Sequence, residues 1–277
     1  MAQTADGRHA WICATCAVQH EPGARPPREC AICSDERQFV PPSGQRWTTL
    51  PRLREEGHRS DVRRLEPGLH GVGVRPTLGI GQRALLVVTP HGNVLWDCVG
   101  YIDDEAVARL AALGGVDAIA PSHPHFHGCM VEYSRAFGGA PVWVAQGDRD
   151  WVRRPDPAVR LWDTEAEVLP GVTLVQCGGH FEGSAVLHWR AGADGRGALL
   201  VGDTATVVAD RAHVSFMRSY PNELPLPAPT VRRIVGAIGD RPFDRIYGGW
   251  WDRVVDTDGA AALRRSAERY LRWMGAA

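Results

Sequence analysis

Short apolar runs alternate with polar, glycine-containing segments over most of the chain. "ALLVVTP" and "NVLWDCV" are two such runs joined by "HGN", and this arrangement predicts a β-hairpin. The later apolar runs that predict strands are VDAIAP, APVWVAQ, GVTLVQCGGH, SAVLHWR, GALLVGDT and FDRIYGG. Short runs of this kind are typical of sheets that are covered by helices.

Helical periodicity separates several of these strands. "DDEAVARLAALGG" begins with acidic residues suited to a helix N-terminus, carries Val107, Leu110 and Leu113 on one face, and ends at Gly114. The other predicted helices are CMVEYSRAF, APTVRRIVGAIG and GAAALRRSAERYLRWM. The pattern therefore predicts an α/β fold in which sheets are flanked by helices.

The amino-terminal part of the chain has a different pattern. The segment "SDERQFVPPSGQRWTTLPRLREEGHRSD", residues 34–61, is rich in turn formers and charge. We interpret it as a linker that wraps onto the α/β domain. The predicted organisation is a small cysteine-rich unit with its linker over residues 1–45 and the α/β domain over residues 46–277.

Composition excludes several classes of partner. The 277 residues are 44% hydrophobic and carry a formal net charge of −1, so they provide no long-range field for nucleic acid or an anionic membrane. The first residues, "MAQTADGRHAW", lack the basic start and apolar core of a leader, and no stretch reaches the roughly 18 to 20 apolar residues that cross a bilayer. We expect a cytoplasmic protein that acts on a small molecule, with a homodimer as one possible assembly.

Four of the seven cysteines form two Cys-x-x-Cys pairs, "CATC" at Cys13 and Cys16 and "CAIC" at Cys30 and Cys33. Two such pairs separated by thirteen residues can present four thiolates tetrahedrally to one Zn²⁺. The residues between them contain little that could form a core, so metal binding would supply much of the local folding free energy. We predict a structural zinc ribbon, with a rubredoxin-like iron site and disulfide or redox chemistry as alternatives.

Histidines and an aspartate follow three of the predicted strands. "PSHPHFHGCM" places His123, His125 and His127 at alternate positions, "CGGH" ends with His180, and "VGDT" contains Asp203. Because the backbone is expected to be extended, His123 and His125 should point to the same side and share one cation. Three imidazoles and a carboxylate are a common ligand set for zinc or a related transition metal.

This set of motifs, in this order and at this spacing, resembles the metallo-β-lactamase-fold superfamily of hydrolases. The resemblance covers roughly residues 65 to 277. It implies an αβ/βα sandwich of two mixed sheets flanked by helices, with metals in a cleft along one edge. The whole chain resembles the branch of this superfamily that has an amino-terminal zinc ribbon.

The resemblance is incomplete at the second metal. The usual first motif of the family is His-x-His-x-Asp-His, so His123 and His125 match its first two histidines, while His127 takes the place of its aspartate and Gly128 that of its last histidine. His180 matches the third metal histidine and Asp203 the bridging aspartate. The late strand that normally precedes the last metal histidine ends here in "IYGGWWDR", residues 246–253. One catalytic ion is therefore expected rather than two.

These residues predict a metal-dependent hydrolase of esters, thioesters or lactones. Zinc at a mononuclear site could lower the pKa of a bound water to roughly 7. His127 is the candidate general base or additional ligand, and Asp203 is expected to orient the water. The alternatives are a mononuclear non-heme iron dioxygenase of a sulfur compound and a non-catalytic member of the fold that binds a metal or another ligand.

Aromatic residues near these motifs are candidates for contact with the substrate. Trp250 and Trp251 lie where a metal ligand is expected, and Tyr247 precedes them, so all three could form an apolar wall. Tyr220 lies in "FMRSYPNELPLP", a proline-rich segment after the metal aspartate, together with Arg218. Long loops of this kind often cover active sites.

Overall fold

The structure, a computed structural model, describes residues 7–276. Its amino-terminal unit is an antiparallel sheet of the strands β1 (His9–Cys13), β2 (Gln19–Gly23) and β3 (Trp47–Thr48). β1 lies in the middle, and Cys13 pairs with Trp47 of β3. This ribbon sheet includes residues beyond the predicted boundary at residue 45. The first six residues, on which the expectation about a leader partly depends, lie outside the described part of the chain.

The predicted linker contains regular structure, and the linker interpretation is wrong from residue 47 onward. β3 is followed by helix α1 (Leu50–Glu55) and by strand β4 (Arg59–Glu66). The hydroxyl of Thr49 accepts a hydrogen bond from the Arg52 amide at 3.4 Å and caps α1. The helix has only six residues, so its apolar positions Leu50 and Leu53 are too few to show a helical period.

The first large sheet is mixed. After β4 it contains β5 (Leu69–Arg75), β6 (Ala84–Thr89), β7 (Gly92–Trp96), β8 (Ala118–Ala120), β9 (Val142–Ala145) and β10 (Val159–Trp162). The seven strands lie in chain order, antiparallel from β4 to β7 and parallel from β7 to β10. Helices α2 (Asp104–Ala112) and α3 (Met130–Ala136) connect the parallel strands. The predicted hairpin is confirmed as β6–β7.

The second large sheet is built mainly from the carboxyl-terminal half of the chain. The elements in chain order are β11 (Glu165–Leu169), β12 (Val172–Gln176), β13 (Ala185–Trp189), α4 (Gly192–Gly195), β14 (Ala198–Gly202), β15 (Thr206–Val207), β16 (Val214–Ser215), β17 (Met217–Ser219), β18 (Leu224–Pro225), α5 (Ala228–Ile238), β19 (Arg245–Gly248), β20 (Val254–Val255) and α6 (Gly259–Trp273). The sheet has the order β11-β12-β13-β14-β19-β20, and only β14 and β19 are parallel. The remaining four strands form two short hairpins.

Three apolar clusters define the layers. Leu85 of the first sheet and Leu187 of the second belong to the cluster between the sheets. Leu110 of α2 packs in the cluster on the outer face of the first sheet, and Ile234 of α5 packs in the cluster on the outer face of the second. The predicted sandwich of two mixed sheets between helices is confirmed. Among the described helices none combines the length and apolar character needed to span a bilayer.

Candidate metal centre

The histidine loop follows β8, but its backbone is not extended. β8 ends at Ala120, and Pro124–Phe126 form a turn of 3-10 helix in which the Phe126 amide donates to the His123 carbonyl at 3.0 Å. Proline is tolerated here because the first residues of a helical turn have no intrahelical partner for an amide. The expectation of an extended backbone is therefore wrong. The tight turn still brings the rings of His123 and His125 to a centroid distance of 5.2 Å.

Four side chains from three strand ends converge on one point. His123 and His125 follow β8, His180 follows β12, and Asp203 follows β14. The ligand atoms of all four lie within 4.8 Å of one another. Nε2 of His180 lies 3.2 Å from Nδ1 of His125 and 3.9 Å from Oδ2 of Asp203. Tetrahedral zinc with bonds of about 2.1 Å would separate its ligands by about 3.4 Å. The arrangement therefore fits a single ion.

Burial makes these groups good ligands. All four side chains are at most 5% exposed, and Nε2 of His123 and Oδ1 of Asp203 have no hydrogen-bond partner among the described residues. Burial lowers the pKa of His123 and His180 to about 3 and raises the pKa of Asp203 to about 6. The imidazoles are therefore neutral, which is the form that binds a metal. A cation at this point would satisfy groups that otherwise cost free energy to bury.

Hydrogen bonds behind the cluster fix the orientation of His123. Nδ1 of His123 lies 2.9 Å from the Ser122 hydroxyl, which leaves Nε2 directed toward Asp203 at 3.5 Å. The Ser122 amide donates to Asp97 at 2.7 Å. Asp97 is buried, and burial raises the pKa of its carboxyl well above the usual range. Contacts of this kind hold a ligand in place before the metal binds.

His127 lies outside the cluster. It is 2% exposed and lines a small cavity with Val18, Gln19, Arg153 and Arg154, whereas His125, His180 and Asp203 line a different and larger one. Burial lowers the pKa of His127 to about 3. The structure thus places His127 on the side of the histidine loop that faces the ribbon unit. Its role as a general base stays a prediction.

Two glycines lie where the family resemblance expects histidines of a second metal: Gly128 takes the place of the last histidine of the first motif, and Gly249 belongs to the "GGWW" segment at the end of the late strand. At Gly128 φ is +46°, and a Cβ atom would lie 2.5 Å from the Val99 carbonyl oxygen. At Gly249 a Cβ atom would lie 2.7 Å from the ring of Phe126. Neither backbone can carry a side chain without moving its neighbours. Cys129 is also turned away, because its thiol donates to the Val99 carbonyl at 3.1 Å.

The four predicted ribbon cysteines form a second cluster. Cys13 and Cys33 are 3.6 Å apart between sulfurs, and Cys16 and Cys30 are 3.7 Å apart. Tetrahedral zinc with bonds of about 2.3 Å would separate its sulfurs by about 3.8 Å. All four sulfurs are buried, and the Gln45 side-chain amide donates to the sulfur of Cys13 at 3.1 Å. This donor set fits a closed site for one metal ion.

The cluster of three histidines and Asp203 opens into a cavity of about 470 Å³. Trp250 lines it and donates from its indole to the Ile80 carbonyl at 3.1 Å. Tyr220 also lines it, with its ring 5.7 Å from that of His180 and its hydroxyl donating to the Asp203 carbonyl at 3.2 Å. These positions agree with the predicted substrate contacts, and a volume of this size suits a small molecule.

Two other predicted wall residues do not reach this cavity. Trp251 stacks between the guanidinium groups of Arg63 at 4.2 Å and Arg83 at 5.5 Å. The hydroxyl of Tyr247 donates to Glu66 at 2.9 Å in the core between the sheets. Neither residue lines the cavity of the metal cluster. Their assignment as substrate contacts is wrong for this geometry.

Arg37 is a residue of the site that sequence reasoning missed. Its side chain is 5% exposed, pairs with Asp35 at 2.5 Å, and stacks on the ring of Phe181 at 3.8 Å. It also donates to the backbone carbonyl of His180 at 3.4 Å and to Glu182 at 3.3 Å. Through Arg37, Glu182 is therefore linked to the backbone carbonyl of His180. No local pattern links residues that are more than 140 positions apart.

Comparison with known proteins gives one relative of high identity and many of the same fold. No family model matches the chain. The uncharacterized protein YmaE of Bacillus subtilis strain 168 is 43% identical over 264 residues, which are 95% of this chain and 96% of that protein. A B3 metallo-β-lactamase with an active-site glutamic acid covers 82% of this chain and 94% of its own, with a TM-score of 0.54 at 18% identity. The metallo-β-lactamase SMB-1 covers 74% of this chain and 92% of its own, with a TM-score of 0.52 at 19% identity.

Proposed function

Because the chain belongs to the same family as YmaE of Bacillus subtilis and has the metallo-β-lactamase fold, we propose that it is a metal-dependent hydrolase. One observation carries the proposal: three buried neutral imidazoles and a carboxylate converge within 4.8 Å at the floor of a cavity of about 470 Å³. A metal site beside a substrate-sized cavity is what hydrolysis by this class of site requires.

His123, His125, His180 and Asp203 would hold the catalytic ion. Zinc bound by such a set lowers the pKa of water to roughly 7 and polarises a carbonyl group. Asp203 contributes in a second way, since one of its carboxylate oxygens has no partner among the described residues and can accept a proton from water in the cavity. Tyr220 and Trp250 form walls that exclude bulk water from the reacting groups.

The site we propose is mononuclear. The family resemblance expects ligands of a second ion at Gly128 and in the segment of Gly249, Trp250 and Trp251. Close contacts with Val99 and Phe126 fill the space where a side chain would begin at the two glycines. The aspartate of the usual motif is replaced by His127, which lines another cavity. The four sulfurs of the ribbon would hold a separate structural zinc ion, because a buried set of four thiolates is typical of structural zinc sites, whereas the set of three imidazoles and a carboxylate faces the cavity.

Esters, thioesters and lactones are the substrates that the cavity supports best. Phe39, Ile80, Pro221 and Trp250 give it apolar walls, and these suit an acyl chain or ring. The carbonyl of such a substrate would approach the floor of the cavity, where the four proposed ligands lie.

The proposal is tested by metal analysis and hydrolysis with matched histidine variants. Protein purified anaerobically should contain two zinc ions per chain and hydrolyse members of an ester and thioester panel. His125→Ala should retain one zinc and lose turnover by at least about a hundredfold, since a metal ligand is removed. His91→Ala changes an exposed histidine and should match the unaltered chain. Unchanged metal content in His125→Ala, or stoichiometric iron, would refute the zinc hydrolase.

A further inference from the structure

The ribbon unit forms part of the cavity above the metal cluster. Ala14 and Thr15, which lie between the first two cysteines of the ribbon, line the cavity opposite His125 and Asp203. Residues 37–39, which follow the last cysteine, line it as well, and so does Arg46. The ribbon is therefore in direct contact with the space that a substrate would occupy. A module that only stabilised the fold would not need to border this space.

Contacts on two sides hold the ribbon in this position. On one side the Gln19 amide donates to the Gly128 carbonyl at 3.0 Å, directly after the histidine loop. On the other side the Asn222 side chain donates to the carbonyls of Glu36 and Gln38 at 2.8 and 3.0 Å. The Ser219 hydroxyl donates to the Arg37 carbonyl at 3.1 Å. The ribbon wall of the cavity is thus fixed relative to the metal cluster.

Arg46 occupies a defined place in this wall. Its carbonyl accepts a hydrogen bond from the Ala14 amide at 3.0 Å, and the next residue, Trp47, pairs with Cys13. Its backbone is therefore anchored to the first cysteine pair of the ribbon. The side chain is exposed and lines the cavity. Among the described residues, its guanidinium has no carboxylate partner.

Arg37 and Arg46 differ in the charge that they offer to a ligand. The guanidinium of Arg37 is already paired with Asp35 and Glu182 and covered by Phe181. Besides the metal ligand Asp203, the described lining of the cavity contains no carboxylate. Among the described residues, Arg46 is therefore the positive charge of this wall that has no carboxylate partner, and it lines the cavity together with the apolar residues Phe39 and Pro41.

We propose that the substrate carries an anionic group at the end of an apolar segment, and that Arg46 of the ribbon binds this group while the metal cluster faces the scissile carbonyl. A guanidinium recognises carboxylate, phosphate or sulfonate through paired N–H donors, which gives it both affinity and orientation. Phe39, which is 44% exposed, would cover the apolar segment. This inference deepens the proposed function, because it takes the cavity of the metal cluster as the substrate site.

Binding of two matched probes tests the inference without relying on turnover. Hexane-1-sulfonate carries an anion, and hexyl methyl sulfone has a similar shape without the charge. Isothermal titration calorimetry on the full chain with its metals should show tighter binding of the sulfonate. Arg46→Gln should weaken sulfonate binding roughly tenfold and leave sulfone binding unchanged, because only a charge-assisted hydrogen bond is lost. Arg46→Lys should retain part of the preference.

Two further variants separate local recognition from general effects. Arg28→Gln removes an exposed positive charge from the same unit away from the cavity, and both probes should bind to it as to the unaltered chain. Phe39→Ser should lower the affinity for both probes by the same factor, because it removes apolar contact and no charge. The inference would be overturned if the sulfonate bound equally tightly to Arg46→Gln and to the unaltered chain. It would also be overturned if Arg28→Gln lost as much sulfonate affinity as Arg46→Gln.

The inference and the proposed function can fail separately. If the chain hydrolyses none of the ester and thioester panel but binds the sulfonate through Arg46, the hydrolase proposal is refuted and anion recognition stands. If it hydrolyses neutral and anionic thioesters equally well, and Arg46→Gln leaves both rates unchanged, the hydrolase proposal stands and anion recognition is refuted. Phenylbutyrate and succinate thioesters of the same thiol provide this pair.

Discussion

Single residues support the proposal that this site holds one metal ion. Gly128 lies at, and Gly249 lies near, a position where the family resemblance expects a histidine, and the space beyond their Cα atoms is filled by the Val99 carbonyl and the Phe126 ring, respectively. A histidine at position 128 would require the backbone to move, and one at position 249 would displace the Phe126 ring, each at a cost similar to that of overpacking a core. Phe126 also packs on His123 at 4.6 Å between ring centroids. Phe126 therefore blocks a side chain at position 249 and also packs against His123, a proposed ligand of the metal ion.

The role of His127 can be resolved by its replacement with alanine. His127 is buried between the histidine loop and the ribbon, so we expect His127→Ala to leave a small cavity and lower the free energy of unfolding by about 1–3 kcal/mol. If it is also the general base, kcat should fall at least about a hundredfold with metal content unchanged. Loss of the catalytic ion alone would identify it as a ligand. Urea denaturation, metal analysis and kinetics on one preparation distinguish these outcomes.

Residues at strand ends are the part of the site that the sequence predicts well. His123, His180 and Asp203 each follow an apolar run, and the ends of neighbouring strands meet at one edge of a sandwich. Arg37 and Arg46 could not be predicted, because their importance depends on how the ribbon docks. Trp250 and Trp251 are adjacent and equally apolar, but only Trp250 faces the cavity. Which of two adjacent residues faces a site depends on the local backbone conformation, and the residue types alone do not reveal it.

At the scale of elements, a short turn connects the first sheet to the loop of His180. The turn Gln146–Trp151 follows β9, and Oδ1 of its Asp148 accepts a hydrogen bond from the Gly183 amide at 2.8 Å. Asp148 is 2% exposed, and burial raises the pKa of its carboxyl to about 7. The folded chain therefore keeps this proton at pH values where the unfolded chain has lost it. The carboxyl makes folding less favourable as the pH rises from about 4 to about 7.

This reasoning predicts the effect of Asp148→Asn on stability. Asparagine has no proton to lose, and its side-chain oxygen can still accept from Gly183. The variant should therefore be more stable than the unaltered chain at pH 8, by an amount on the order of 3 kcal/mol, and about equally stable at pH 4. Urea denaturation at both pH values measures the difference. Asp150→Asn, at an exposed position of the same turn, is the control. A gain for Asp148→Asn that is equal at both pH values would contradict the assignment.

More of the overall fold than of the contacts between its parts could be predicted from the sequence. Apolar runs and helical periodicity predicted the central strands and the four longer helices, because these elements are buried in the layers of the sandwich. Of the longer strands in the two large sheets, β4, β5, β10 and β11 were not predicted. Helix α1 was missed because it is short and four of its six residues are exposed. The position of the ribbon on the domain also escaped prediction. It depends on backbone hydrogen bonds such as that from the Gln19 amide to the Gly128 carbonyl, which residues of almost any type could form.

The docking of the ribbon predicts that its proposed metal ion is coupled to the rest of the molecule. Its four cysteines are buried together with Ile32, and few other buried apolar side chains hold this unit together. Loss of the ribbon ion should therefore release the hydrogen bonds of Gln19 and Asn222 to the domain and remove one wall of the cavity. A metal that no substrate touches would thus affect both stability and binding.

Cys30→Ser tests this coupling at the scale of the whole molecule. We expect the variant to lose the ribbon zinc, to keep the catalytic ion in the protein that remains folded, and to unfold at a markedly lower temperature, since metal binding contributes directly to folding. Its affinity for hexane-1-sulfonate should fall together with the zinc content. Cys177→Ser changes a buried cysteine outside both clusters and should keep two zinc ions. Calorimetric melting and metal analysis decide the outcome. A Cys30→Ser protein with unchanged melting temperature and zinc content would show that this cysteine holds no structural metal.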